Sequence, residues 1–123
     1  MKLAIIGGRD FTNFVKADQS LQDHFKDHDG EIFYIALDEI VSGGARGSDA
    51  IGKRLAEKYG IKYTEFPADW DKYGKSAGFK RNQQIIDACD MVLAFWDGQS
   101  KGTLHMINIA KEKELKVFIY ELH

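Results

Sequence analysis

One proline, Pro67, and one cysteine, Cys89, are all that the 123 residues hold of either type. A lone cysteine has no partner within the chain, so an internal disulfide is excluded. No Cys/His cluster has zinc spacing either, so no metal site is expected. The plain role for Cys89 is a small core residue near a helix end. A cationic surplus is also missing. Lys and Arg total 17 against 19 Asp and Glu, for a net charge of −2. A dedicated nucleic-acid binder carries an excess of positive charge, and this balance weighs against one while leaving room for a local basic pocket. Long hydrophobic runs are absent too. The opening "MKLAIIGGRD" is far too short in apolar residues for a signal peptide or a membrane span, so no membrane partner is expected and a reducing cytoplasm is the default location. No repeat, low-complexity tract or linker interrupts the chain. Its length suits one domain, 1–123, with one buried core.

What is present reads as alternating strands and helices. "LAIIGG" (3–8) is a continuous apolar run ending in glycines, as in a strand buried on both faces. Phe14, Ala17, Leu21 and Phe25 then make one helical stripe. Ile40 and Val41 read as a second strand, whereas 32–37 fits an extra strand or a helix equally well. A helix is expected over 48–59, with Gly60 as its stop. "IKYTEF" alternates like a strand, and "PADWDKYGKSAG" reads as a loop. "FKRNQQIIDAC" is helical and "MVLAFW" is another apolar strand. Thr103, Met106, Ile107 and Ala110 share one face of a further helix, and "KVFIYEL" is a last strand. Strands joined by single helices imply right-handed crossovers and a mainly parallel five-stranded sheet in a three-layer, Rossmann-like α/β domain. Ligands of such sheets bind beyond the carboxyl ends of the strands.

Every strand-to-helix loop falls on that rim. The loops are "GGRDF", "SGGARGS", the one ending in "AGFKR", and "DGQSKGT". Each carries glycine and a cation at or before a helix start: Arg9, Arg46, Lys80 with Arg81, and Lys101. A helix N-terminus is itself positive, so a cation there is disfavoured by up to about 1 kcal/mol. Four on one rim point to an anion between them. Bare glycine backbone lets N–H groups close on phosphate oxygens, and arginine adds a bidentate clamp. Glycines after strands are also ordinary turn residues, and long cations can simply point into water. The spacing matches neither G-x-G-x-x-G nor the Walker P-loop, so neither a dinucleotide nor ATP with magnesium is supported and no cofactor is expected.

Other polar and aromatic residues have competing roles. Asp10 and Asp49 stand at helix starts, where they can cap backbone N–H groups or read a ribose hydroxyl. Asp97, opening the last loop, can do either. Trp70, Tyr73 and Trp96 can stack on a nucleobase or pack against the core. The histidines show no partner spacing.

"SGGARGSD", "PADWDKYGKSAGFKRNQQI" and "MVLAFWDGQSKGT" together resemble the YspA-type branch of the SLOG superfamily. That superfamily also holds the DNA-processing protein A group and the LOG phosphoribohydrolases. The resemblance runs from "IIGGRDF" to "KVFIY" and implies a Rossmann-like fold that binds nucleotides or nucleotide-derived signals. It also implies dimers in many members, with a neighbour able to complete the site. Many YspA-type proteins are encoded by phages or mobile elements. LOG enzymes pair a basic residue with a glutamate in P-G-G-x-G-T-x-x-E. Arg81 resembles the basic residue and Gly102-Thr103 the G-T, but Met106 stands where the glutamate would be. Cleaving an N-glycosidic bond needs a carboxylate at the anomeric carbon, which methionine cannot replace, so Asp97, Asp69 or Asp10 would have to substitute.

The resulting expectation is a binding domain for a phosphorylated nucleotide-like small molecule, acting as a sensor or sequestering protein. Gly7, Gly8 and Arg9 would form one wall. The run Ser42, Gly43, Gly44, Ala45, Arg46, Gly47, Ser48 would cradle phosphate, with Asp49 beside it. Arg81 and Asn82 would clamp a second anionic group, and Gly102 and Thr103 would close the far side. Trp70 or Tyr73 would cap a base, and Asp97 would complete the set. The alternatives are a nucleoside-monophosphate N-glycosidase, with no assignable catalytic residue, and a single-stranded nucleic-acid binder, which the missing cationic surplus disfavours.

Overall fold

The structure is a computed structural model, and it describes residues 1–8, 11, 13–25, 37–43, 48–67 and 70–121. Of the ambiguous stretch 32–37, only Leu37 falls among them, and it is buried. The elements are β1 (Lys2–Gly7), α1 (Phe14–Phe25), β2 (Glu39–Ser42), α2 (Ser48–Tyr59) and β3 (Lys62–Glu65), then α3 (Trp70–Tyr73), a 3-10 turn (Gly74–Ser76), α4 (Ala77–Asp87), β4 (Met91–Trp96), α5 (Lys101–Glu112) and β5 (Lys116–Glu121). All five strands are parallel, in the order β3-β2-β1-β4-β5. This is a Rossmann-like α/β sheet.

The apolar runs dictate this arrangement. Side chains alternate across a strand, so β1 sends Leu3 and Ile5 into one core and Ala4 and Ile6 into the other. β4 does the same with Leu93 and Phe95 against Val92 and Ala94. Ile5 is in register with Leu93, which makes β1 and β4 the centre of the hydrophobic mass. Ala17 and Leu21 of α1 join Ile51, Leu55 and Ala56 of α2 on the first face. Ile85 and Ile86 of α4 join Met106, Ile107 and Ala110 of α5 on the second. The chain therefore changes face between β3 and β4. The neighbours β1 and β4 send their outgoing loops to opposite sides, and this opens a crevice at their carboxyl ends.

Cys89 lies in the second core just past α4, where burial pushes its thiol up to about 11. It is inert packing, as the sequence suggests. Among the described residues no helix is long and apolar enough to cross a membrane.

One buried acid had no signal in the apolar pattern. Asp18 of α1 is 8% exposed and receives hydrogen bonds from Lys58 and Tyr59 of α2. Burial pushes its carboxyl up, but the bonds from Lys58, Tyr59 and Gln22 outweigh that and hold it below the ordinary carboxylate value. A carboxyl lowered in the native state contributes stability above its unfolded value, near 3.9, and loses it as pH falls through the native value. Asp18→Ala should therefore cost about 1 to 2 kcal/mol in urea unfolding at neutral pH. The gap to the parent protein should shrink in acid. An undiminished gap in acid would show that packing, not the ionised pair, ties α1 to α2.

Candidate functional site

The crevice holds a cavity of about 300 Å³ lined by Gly7 and Gly8 after β1, Gly43 after β2, Arg81, Asn82 and Ile85 of α4, Ser100, Gly102, Thr103 and Met106 of the α5 entry, and Ile6. Ile6, Ile85 and Met106 give it an apolar floor. Its walls are bare backbone and polar groups.

Arg81 is the single charged residue among the described lining. Its Nη1 donates to the Gly43 carbonyl at 3.3 Å, and its Nε donates to Asn82 Oδ1 at 3.2 Å. Among the described residues no carboxylate lies within ion-pair distance of it. A guanidinium has five N–H donors, so these two bonds fix its place and leave donors for a ligand. Gly43 is what admits it. A Cβ at that position would stand 2.5 Å from Arg81 Nη1.

Asn82 is 5% exposed and orients the arginine. Its Oδ1 faces Arg81, so Nδ2 faces His105 Nδ1 at 3.1 Å. His105 Nδ1 must then be the acceptor, which puts the ring proton on Nε2. The ring is held edge-on to Phe79, with centroids 4.8 Å apart. His105→Ala should free the Asn82 amide to rotate and lower phosphate affinity about 2- to 5-fold. In an Arg81→Ala background it should change nothing further. An equal loss in both backgrounds would separate His105 from the arginine.

The fourth loop is a preformed helix entry. Asp97 Oδ1 accepts from the backbone N–H groups of Gln99 at 2.8 Å and Ser100 at 2.7 Å. These bonds from Ser100 and Gln99 hold its carboxyl below the ordinary value. Gly98, at φ +82°, turns the chain where a side chain would be strained. Ser100 is the N-cap of α5, and its hydroxyl accepts from Thr103 N–H at 3.4 Å. Trp96 Nε1 donates to the Ser100 carbonyl at 3.1 Å, and its ring packs against the second core. Gly102 presents open space rather than a side chain to the cavity. The positive end of a 12-residue helix thus borders the cavity.

Of the expected set, the structure brings together Gly7, Gly8, Gly43, Arg81, Asn82, Gly102 and Thr103. Ser42 is fully buried with its hydroxyl on Tyr63, 2.5 Å away, and is not among the lining residues. Asp97 does not line the cavity either; its carboxylate serves its own loop. Lys80 sits with its ammonium 4.7 Å from the centre of the Tyr73 ring, and Lys101 is exposed. Arg9, Asp10, Gly44, Ala45, Arg46, Gly47 and Asp69, and the side chains of Ser48, Asp49 and Trp70, lie outside the described residues. Ile6, Ile85, Ser100 and His105 escaped the sequence reading. Only Ser100 carried a usable signal, as a serine three residues before Thr103 at a helix start.

Fold and crevice define the class: a Rossmann-like parallel α/β domain with a glycine-walled cavity at its topological switch point. The chain is 38% identical over 84 residues to the Gene 61 protein of Mycobacterium phage D29, an alignment that covers 63% of this chain and 67% of the phage protein. It belongs to the same family as that phage protein. No protein-family model matches the chain.

Proposed function

We propose that this protein binds a phosphorylated nucleotide or nucleotide-derived signal in the crevice, with phosphate between Arg81 and the start of α5. The observation that carries the reading is Arg81 itself. It is half-buried on the second turn of α4 and shares the cavity with the start of α5, with spare donors and, among the described residues, no acid to neutralise it. Such a group is stabilised by an anion whose oxygens meet both the guanidinium and the helix N–H groups. The apolar floor of Ile6, Ile85 and Met106 suits the uncharged part of such a ligand. The resemblance to the YspA-type SLOG proteins supports the same ligand class, and a phage relative fits that branch.

Binding is favoured over hydrolysis of an N-glycosidic bond. Among the described residues lining the cavity there is no carboxylate, and Met106, in its floor, stands at the position where the LOG-type motif carries a glutamate. Single-stranded nucleic acid is a weaker alternative, since it needs a cationic groove with stacking platforms.

Native mass spectrometry of freshly purified protein tests the reading. The expected result is a co-purifying adduct of nucleotide mass, absent from Arg81→Ala. Absence of an adduct, together with a melting temperature unmoved by a panel of phosphorylated nucleotides, would overturn it. Release of free base and ribose phosphate from that panel would replace the binder with a hydrolase.

A further inference from the structure

The bonds that run from Arg81 through Asn82 to His105 leave each atom one part to play. Arg81 Nε can only donate, so Asn82 must offer it Oδ1, at 3.2 Å. That turns Asn82 Nδ2, also only a donor, toward His105 Nδ1 at 3.1 Å. Nδ1 accepts only while the ring is neutral. A proton there sets N–H against N–H. Either the amide turns over and presents its NH2 to Arg81, or the ring leaves Asn82. Phe79, edge-on to the ring with centroids 4.8 Å apart, opposes the second course. Asn82 is 5% exposed, so water does not replace the bond that is lost. The charged groups around His105 among the described residues are few. On α4, Arg81 meets it through Asn82, Lys80 lies against the Tyr73 ring, and Asp87 pairs with Lys113 at the other end of the helix. On α5, Lys101 stands about one turn before it and Glu112 about two turns after. The strands that α5 packs against turn Ala4, Ile6, Val92, Ala94 and Val117 to this face, none of them titratable.

We propose that a proton on His105 gates the crevice: the neutral ring holds Arg81 in its anion-binding posture through Asn82, and the protonated ring releases it. This inference rests on the anion reading of the crevice and adds its regulation. Histidine is the side chain that changes charge between about pH 8 and about pH 5. The anion is therefore held at neutral pH and let go in acid. Charge alone works in the opposite direction, because a positive ring attracts an anion. Linkage is reciprocal, so a bound anion also makes the ring harder to protonate.

Sulfate is the probe, since it stays a dianion across this range whereas phosphate itself titrates. NMR titration of the full chain with sulfate should give an affinity at least about threefold weaker at about pH 5 than at about pH 8. His105→Ala, already weakened at the higher pH, should show no such fall. In the parent protein the His105 ring signals should titrate at lower pH with sulfate bound than without it, a readout that needs no variant. Affinity that rises or stays level in acid, or that falls equally in His105→Ala, overturns the gate and leaves the anion site standing. So does a ring whose titration sulfate leaves in place or moves to higher pH. Failure of sulfate to bind at the higher pH overturns the reading of the crevice together with the gate.

Discussion

Arg81→Ala should strip the crevice of most of its affinity for phosphate while leaving the fold standing. The arginine gives up two long bonds, to Gly43 and Asn82. Neutral partners of this kind contribute about 0.5 to 1.5 kcal/mol each, and loss of a charge without an acidic partner offsets part of that. Thermal unfolding of the empty protein should therefore shift by less than about 1 kcal/mol. A charge-assisted bond to a phosphate is worth about 1.5 to 3 kcal/mol, so ligand affinity should fall about 10- to 100-fold. Paired melting and titration measurements check both halves. A large loss of stability with affinity retained would make Arg81 a structural strut and leave the cavity without its anion anchor.

Gly43→Ala should produce nearly the same loss of binding with the arginine still present. The new methyl would lie 2.5 Å from Nη1 and 3.0 Å from Cδ and Cζ of Arg81. Those atoms belong to the far end of a long side chain, so the guanidinium swings away and the backbone stays. The unfolded chain also loses freedom when glycine becomes alanine, worth about 0.4 to 1 kcal/mol in favour of the fold. The expected outcome is a protein as stable as the parent or slightly more so, with phosphate affinity down about tenfold or more. Combining Gly43→Ala with Arg81→Ala should cost little beyond the worse of the two, because both act on one contact. Parent-like affinity in Gly43→Ala would mean that the position of the guanidinium does not matter.

The fold was legible because its central strands are nearly pure apolar runs. "LAIIGG" and "MVLAFW" admit few readings, and both lie at the centre of the sheet. The stretch before α4 was less transparent. Read as a loop, 67–78 contains the four residues of α3, the 3-10 turn and the first two residues of α4. A four-residue helix is too short to display a 3.6-residue period, and Gly74 and Gly78 after it mimic loop composition. The glycines after the strands marked the site's outline, and Arg81 was picked out as a cation before a helix start, whereas α4 begins four residues earlier, at Ala77, and carries it on its second turn. Most of the apolar floor left no such mark: Ile6 and Ile85 continue the pattern of a core strand and a core helix face. The link from Arg81 through Asn82 to His105 was invisible for another reason. It joins two helices through residues that stand 23 apart in sequence, Asn82 and His105, and no local pattern reports a contact of that range. Asp18 escaped in the same way, since its partners lie 40 and 41 residues along the chain.

The position of β1 has a consequence for how the molecule is made. It leaves the ribosome before the other four strands, yet one of its two flanks is closed only by β4, whose residues pair with Leu3 to Gly7 from 88 residues further along the chain. Until Met91–Trp96 has been synthesised, the nascent half exposes an unpaired parallel edge rich in Leu, Ile and Ala, the kind of surface that captures other chains. The crevice inherits the same dependence, because Gly8 and Gly43 come from the early half and Arg81 and Thr103 from the late one. A chain stalled or cut between the two halves would hold neither a finished sheet nor half a binding site, only a sticky one.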